Sequence, residues 1–330
     1  MGQVFLLGAG FSKCAGYPLN NDLPGLIADE AFKKAQANTH LILNEHLSPL
    51  EAIKDENYHF TLPGLYIKQA AIHSAGKGFD AFIDRCTAKP DDLSQEWRAV
   101  LEGRYTNYGT IRGFVDEAIK TVLERTPERT DYIDALIRYC HETGSPIYST
   151  NFDGLIEQSC VRLGVTPVVA ATTPRETSLP KANFTLHKIN GSLDWDHIPQ
   201  VIDVALDEYP VRHERPSETM GAQKIALTAE DKLSTMATAI PSLFHLHEDF
   251  RKHRKLAAIG TSFQDRHITS VLYSCLLRDG YNMEVVSPDE DLPINIRFFA
   301  ESLGNSTHAC GKITHARLVA SAYINSRLNH

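Results

Sequence analysis

An apolar run that stops abruptly at two glycines is the most restrictive feature of this chain: Val4-Phe5-Leu6-Leu7 leads straight into Gly8-Ala9-Gly10-Phe11-Ser12. The run reads as a buried strand, because branched and aliphatic residues continue without polar alternation and end at turn formers. Strand, tight Gly-x-Gly turn and helix is how α/β folds bring backbone N–H groups against a pyrophosphate. The same pattern also marks an ordinary tight turn, so alone it leaves both possibilities open. Two nucleotide-binding fingerprints are excluded. Lys13 stands where a dehydrogenase fold has its third glycine, and no strand ending in an acidic residue follows about twenty residues later. The Gly-Lys-Ser/Thr ending of a P-loop is also missing.

Beyond this turn the periodicity changes. From about Leu23 to Glu128 apolar residues recur at three- and four-residue spacings, through Ile27, Ala31 and Phe32, then Phe79, Phe82 and Ile83, then Val115, Ile119, Val122 and Leu123. This predicts a helical insertion over residues 23–130 within a single domain spanning 1–330. A helix at Tyr132–His141 then leads through Gly144 into a strand at Pro146–Ser149, which ends at Asn151, Asp153 and Gly154. Further strands are expected at Val168–Ala170, Phe184–Ile189, Leu256–Ile259 and Met283–Val286. Residues 203–239 carry little pattern and read as a loop-rich excursion. Beyond Asp289 there is room for another strand and a terminal helix. Apolar strands alternating with helices predict an α/β, Rossmann-like fold: a mostly parallel sheet with helices on both faces.

Composition narrows the partners. The chain has 330 residues, 42% of them hydrophobic and 22% charged, enough for one large core. A net charge of -8 provides no general basic field, which disfavours direct nucleic-acid binding. The six cysteines, Cys14, Cys86, Cys140, Cys160, Cys275 and Cys310, form no CxxC pair and read as reduced thiols of a cytosolic protein. No uncharged run reaches membrane-spanning length, and Val4–Leu7 has neither a basic leader nor a cleavage pattern, so a cytoplasmic protein without a membrane partner is expected. His245, His247 and Glu248 lie on a helical pattern where i and i+2 do not share a face, which argues against a metal site. The basic run Arg251–Lys255 reads as a solvated helix end. No Gly-x-Ser-x-Gly elbow supports a serine hydrolase.

In an open parallel sheet the ligand crevice lies at the carboxyl ends of the strands, so polar residues recurring there should converge. Four such ends are legible: Gly8–Ser12, Ser149-Thr150-Asn151-Phe152-Asp153, Asn190-Gly191-Ser192 and Gly260-Thr261-Ser262-Phe263. With Gly16-Tyr17-Pro18 after the first turn, Lys188-Ile189 before Asn190, Leu193-Asp194-Trp195 after Ser192, and Gln264-Asp265 before His267-Ile268, this ordered set resembles the Sir2 superfamily. It is most similar to the bacterial Sir2-like branch associated with NAD hydrolysis in anti-phage defence.

The resemblance implies a site for NAD+, bound as substrate, with no metal. Gly8, Ala9, Gly10 and Ser12 would contact the pyrophosphate, with Thr150, Gly191 and Ser192 in the binding set. Asn151 would hold the nicotinamide ribose and the attacking water, and Asp153 would face the carboxamide. Gly260, Thr261 and Ser262 would line the adenosine side, with Ser287 and Asp289 near the adenine or its ribose. Phe11, Phe263 and Trp195 either line the nicotinamide pocket or simply pack. Asn151 and Asp153 also suit an Asx-type cap on the following helix, which is compatible with a ligand role.

The implied activity is NAD+ glycohydrolysis to nicotinamide and ADP-ribose. Deacylation is disfavoured because the zinc-binding cysteine module of typical sirtuins has no counterpart. One departure matters. The family places a general-base histidine where this chain has Asn190, and an amide cannot take a proton near neutral pH. His187 lies an odd number of strand positions away and would face the opposite side, while His197 falls in an expected loop. A slow natural enzyme, an NAD+ or ADP-ribose-binding protein without turnover, and a chain altered to trap substrate all remain open. The branch further implies a homo-oligomer or a separate sensor or activator protein.

Overall fold

All seven strands of the computed structural model run parallel in one sheet; it describes residues 2–37, 62–86, 108–169, 180–190, 236–305 and 310–328. In chain order, β1 (Val4–Leu7) leads into α1 (Ala9–Lys13), and helices α2 (Leu23–Ala37), α3 (Leu62–His73), α4 (Phe79–Cys86) and α5 (Tyr108–Leu123) follow. Next come α6 (Asp131–Thr143), β2 (Ile147–Ser149), α7 (Leu155–Leu163), β3 (Thr166–Val169) and β4 (Lys181–Lys188). The chain continues through α8 (Met236–His253), β5 (Lys255–Ile259), α9 (Arg266–Leu276) and β6 (Asn282–Ser287). It closes with α10 (Ile294–Gly304), β7 (Lys312–Arg317) and α11 (Ala320–Arg327).

The described parts of residues 1–17 and 127–330 form one compact unit, and those within 18–126 form a second. In the first, the strand order is β3-β4-β2-β1-β5-β6-β7. The chain therefore leaves β1 toward β2 on one side and later returns toward β5 on the other. This makes β1 the place where strand order reverses, the point at which α/β sheets open a crevice beyond their carboxyl ends.

Both faces of the sheet are covered. Phe5 packs edge-on against Tyr139 of α6, with ring centroids 5.8 Å apart. Val4 and Leu6 face the other way, into a core shared with Leu246 and Phe250 of α8, Leu272 of α9 and Ile296 of α10. A strand buried on both sides has no use for polar alternation, and every residue of β1 is 0% exposed. That is why it reads as four apolar residues in succession.

Two strands begin earlier than apolar runs suggest. β4 starts at Lys181 rather than Phe184, because Lys181 and Asn183 are exposed positions of an alternating strand. It also ends at Lys188, so Ile189, expected as its last residue, belongs with Asn190 to a turn. β3 starts at Thr166, and its expected last residue, Ala170, lies outside the described residues. Helix α8 begins at Met236, inside the span read as loop-rich; the rest of that span lies outside the described residues.

In the second unit, the apolar residues that set the helical period are buried, among them Ile27, Ala31, Phe32, Phe82, Ile83, Val115 and Ile119. Lys68 of α3 spans the junction with α2, pairing with Asp29 at 3.6 Å and lying 4.7 Å over the Phe32 ring. No helix among the described residues is long and apolar enough to cross a membrane.

Candidate functional site

Register brings the strand ends together. Leu7 pairs with both Ser149 and Ile259, Ser149 pairs with Lys188, and Ile259 pairs with Val286. The turns after β1, β2, β4, β5 and β6 therefore leave the sheet from one row, although their residues are up to 280 positions apart in sequence. Hydrogen bonds then link turn to turn. Asn190 Nδ2 donates to the Thr150 carbonyl at 3.1 Å, and Asn151 Nδ2 donates to the Gly8 carbonyl at 2.9 Å. Gly10 N–H donates to the Gly260 carbonyl at 2.9 Å, and Gly260 N–H donates to that of Val286 at 2.9 Å.

At the centre, Ser12, Asn151 and Asp153 form a polar chain with Ser12 in the middle. Ser12 Oγ donates to Asp153 Oδ2 at 2.7 Å and accepts from Asn151 Nδ2 at 2.9 Å. The second carboxylate oxygen of Asp153 accepts from Leu155 N–H at 3.2 Å, an Asx-type contact at the start of α7. Ser12 and Asp153 are 2% and 7% exposed, so each relies on these partners in place of water. The cap and the convergent site thus use the same carboxylate.

The glycines of the first turn have a steric cause close at hand. A Cβ on Gly8 would lie 2.6 Å from the Gly260 carbonyl oxygen, and one on Gly10 would lie 2.7 Å from Gly260 Cα. The β1 and β5 turns cross backbone to backbone at this point. The N–H groups of Gly8 and Gly10 are committed there, to the carbonyls of Ile259 and Gly260. Phe11 is buried, with its ring 5.2 Å from that of Tyr132, whose hydroxyl donates to the Phe11 carbonyl at 2.7 Å. Burial pushes the Tyr132 phenol well above its ordinary pKa, so it serves as a neutral donor.

Asn190 Oδ1 is buried and has no hydrogen-bond partner among the described residues. Exchanging amide oxygen and nitrogen would set oxygen against the Thr150 carbonyl, so the orientation is fixed. His187 is occupied elsewhere: its ring stacks on Tyr148 at 4.3 Å and lies 5.4 Å from that of His245. Burial and the neighbouring His245 pull its pKa down to about 3, so it is neutral at ordinary pH. Tyr148 in turn donates to Asp249 Oδ2 at 2.6 Å. His247 pairs instead with Glu248, at 3.2 Å, so His245 and His247 diverge. No group of three His, Cys, Asp or Glu side chains able to hold a metal occurs among the described residues. Arg251, Lys252, Arg254 and Lys255 are exposed, as a solvated helix end requires.

On the β5 side, Thr261 is half-buried and Ser262 exposed, while Phe263 is buried in a left-handed conformation with φ 56. Asn295 Nδ2 donates to the Phe263 carbonyl at 3.3 Å. Ser287, 6% exposed, lies 3.2 Å from His315 Nε2 of β7, while Asp289 is exposed. Gly191, Ser192, Trp195 and His197 lie outside the described residues. Three neighbours of the site were given no site role from sequence: Tyr132, His315 and the buried Lys188. Only Lys188 left a signal, its place just ahead of Asn190 in the third polar strand end.

The family model described as the SIR2-like domain matches residues 145–305, a span containing β2 through β6 and the turns that follow β2, β4, β5 and β6. No curated protein matches the chain significantly. The first turn lies ahead of the matched span but is bonded to it at Asn151, Asp153 and Gly260. Sir2-like proteins use NAD+, and the all-parallel sheet with polar turns at its reversal point is consistent with that use. Residues 145–305 are thus similar to the SIR2-like domain, a likeness that supports Sir2 superfamily membership.

Proposed function

We propose that the chain is an NAD+ glycohydrolase, cleaving NAD+ and water to nicotinamide, ADP-ribose and a proton. The observation that carries this is the convergence of Ser12, Asn151, Asp153 and Asn190 at the strand-order reversal, with Asn190 Oδ1 left as a buried acceptor lacking a donor among the described residues. A ribose hydroxyl is a donor of the right kind for that oxygen. Nicotinamide departs as a neutral base, so no acid need protonate it; the C1′–N bond breaks with its electron pair going to the ring nitrogen. Water adds to C1′ and its proton passes to solvent. Asn151 and Asn190 orient the ribose and the water, Asp153 faces the carboxamide, and Ala9 N–H at the start of α1 meets the pyrophosphate.

Without a base at position 190, turnover is about 10²- to 10⁴-fold below that of a chain with histidine there. The test is nicotinamide release from NAD+ by the purified protein and by Asn190→His. No release from either variant removes the hydrolase function. Asn190 itself favours a second function, an NAD+ or ADP-ribose-binding protein without turnover, which calorimetry distinguishes as binding without release. For setting, we propose NAD+ depletion in anti-phage defence by a homo-oligomer or with a separate activator protein, on the strength of the motif resemblance.

A further inference from the structure

Lys188 closes β4 with its side chain 1% exposed, on the sheet face opposite the His187–Tyr148 stack. Its ammonium donates to the backbone carbonyl of Asp153 and pairs with Glu157 Oε1, in the first turn of α7, at 3.5 Å. A buried ion pair adds little net stability compared with an apolar pair of similar volume, since desolvation offsets the attraction. What a charged donor does supply is direction: it fixes the carbonyl it reaches in a single orientation. That carbonyl belongs to Asp153, whose carboxylate holds Ser12 and the Leu155 N–H.

We propose that Lys188 is a positioning residue for the nicotinamide end of the site, acting only through the Asp153 peptide and touching no substrate. This rests on the NAD+ site proposed above. The backbone of the β1 turn, by contrast, is held through Gly260 and Asn151, and only Ser12 at its end meets the Asp153 carboxylate. Loss of Lys188 therefore separates the two ends of the ligand. NAD+ carries the nicotinamide that Asp153 faces, whereas ADP-ribose lacks it.

The experiment is calorimetric titration of NAD+ and of ADP-ribose into the unsubstituted chain, Lys188→Met and Glu157→Gln. In Lys188→Met, NAD+ affinity falls at least about tenfold, the scale of a lost hydrogen bond to a charged group, while ADP-ribose affinity stays within about twofold. Glu157→Gln keeps the bond from Lys188 to the carbonyl and leaves both affinities within about twofold, although its thermal midpoint falls. If Lys188→Met alone does not fold, the double variant Lys188→Met with Glu157→Leu removes both buried charges and shows the same split between ligands. Equal weakening of both ligands, or unchanged NAD+ affinity, overturns the positioning role while leaving the NAD+ site standing. Absence of NAD+ and ADP-ribose binding by the unsubstituted chain overturns the site itself, and the role of Lys188 with it.

Discussion

Gly260→Ala sets a methyl group where the β1 and β5 turns cross. Two costs follow. Gly260 has φ +65, a left-handed conformation that costs a residue with a Cβ about 1 kcal/mol. The new Cβ would also lie 2.3 Å from Phe11 N, 2.4 Å from Gly10 C and 2.5 Å from Gly10 Cα. All three are backbone atoms, so no rotamer relieves the overlap and the turns must separate. Separation breaks the bond from Gly10 N–H to the Gly260 carbonyl and leaves both groups poorly paired, at about 1–3 kcal/mol. With the strain of moving the turn, the total comes to about 3–5 kcal/mol, a large share of the 5–15 kcal/mol typical of a folded protein. Gly164→Ala isolates the conformational part: its φ is +68, but nothing lies within 4 Å of an added Cβ. Urea unfolding of the two variants should differ by at least about 2 kcal/mol at an unchanged m-value. Equal stabilities to within about 0.5 kcal/mol would refute the steric interlock and leave the glycines of the first turn without a packing cause.

Three further outcomes are expected. Ser12→Ala removes the donor to Asp153 and the acceptor for Asn151, lowering stability by about 1–3 kcal/mol and weakening NAD+ binding; an unchanged thermal midpoint and affinity would exclude the polar chain through Ser12. His187, with its folded pKa at about 3 against an ordinary 6.5, makes the unfolded chain bind one more proton between those values, so its contribution is lost as pH falls. Stability there drops by up to about 1.4 kcal/mol per pH unit, and His187→Phe, which keeps the stack on Tyr148, flattens the slope; parallel slopes in urea unfolding at pH 5 and pH 7 would count against it. Tyr148→Phe strips Asp249 of its 2.6 Å donor and costs about 1–2 kcal/mol by the same assay, with NAD+ affinity unchanged because this pair lies on the opposite sheet face from the Lys188 side chain.

How far each of these groups was legible depends on what surrounds it. Val4–Leu7 and the apolar core of β5 showed themselves because a sheet covered on both faces needs continuous apolar strands, and the polar turns after them stand out against that background. β7 showed only as room for a strand, since its edge position leaves it half-exposed and polar. The reason for the Gly-x-Gly turn was hidden for a different cause: it depends on Gly260, about 250 residues away in sequence, and no local pattern carries that contact. Lys188 was visible as a residue but not as a buried one, because a terminal lysine on a strand ordinarily reaches solvent.

The physical consequence is that the site and the fold share atoms. Ser12 joins Asn151 to Asp153, which also bond the backbone at Gly8 and Leu155, and the turns that carry them are bonded in series from Asn190 to Val286. A ligand arriving there meets groups that are already ordered, so little of its binding energy is spent on arranging them. The same sharing makes binding and folding reciprocal. NAD+ at 100 times its dissociation constant should raise the unfolding free energy by about 2.7 kcal/mol, and any substitution that loosens the crossing turns should lower ligand affinity before it unfolds the sheet.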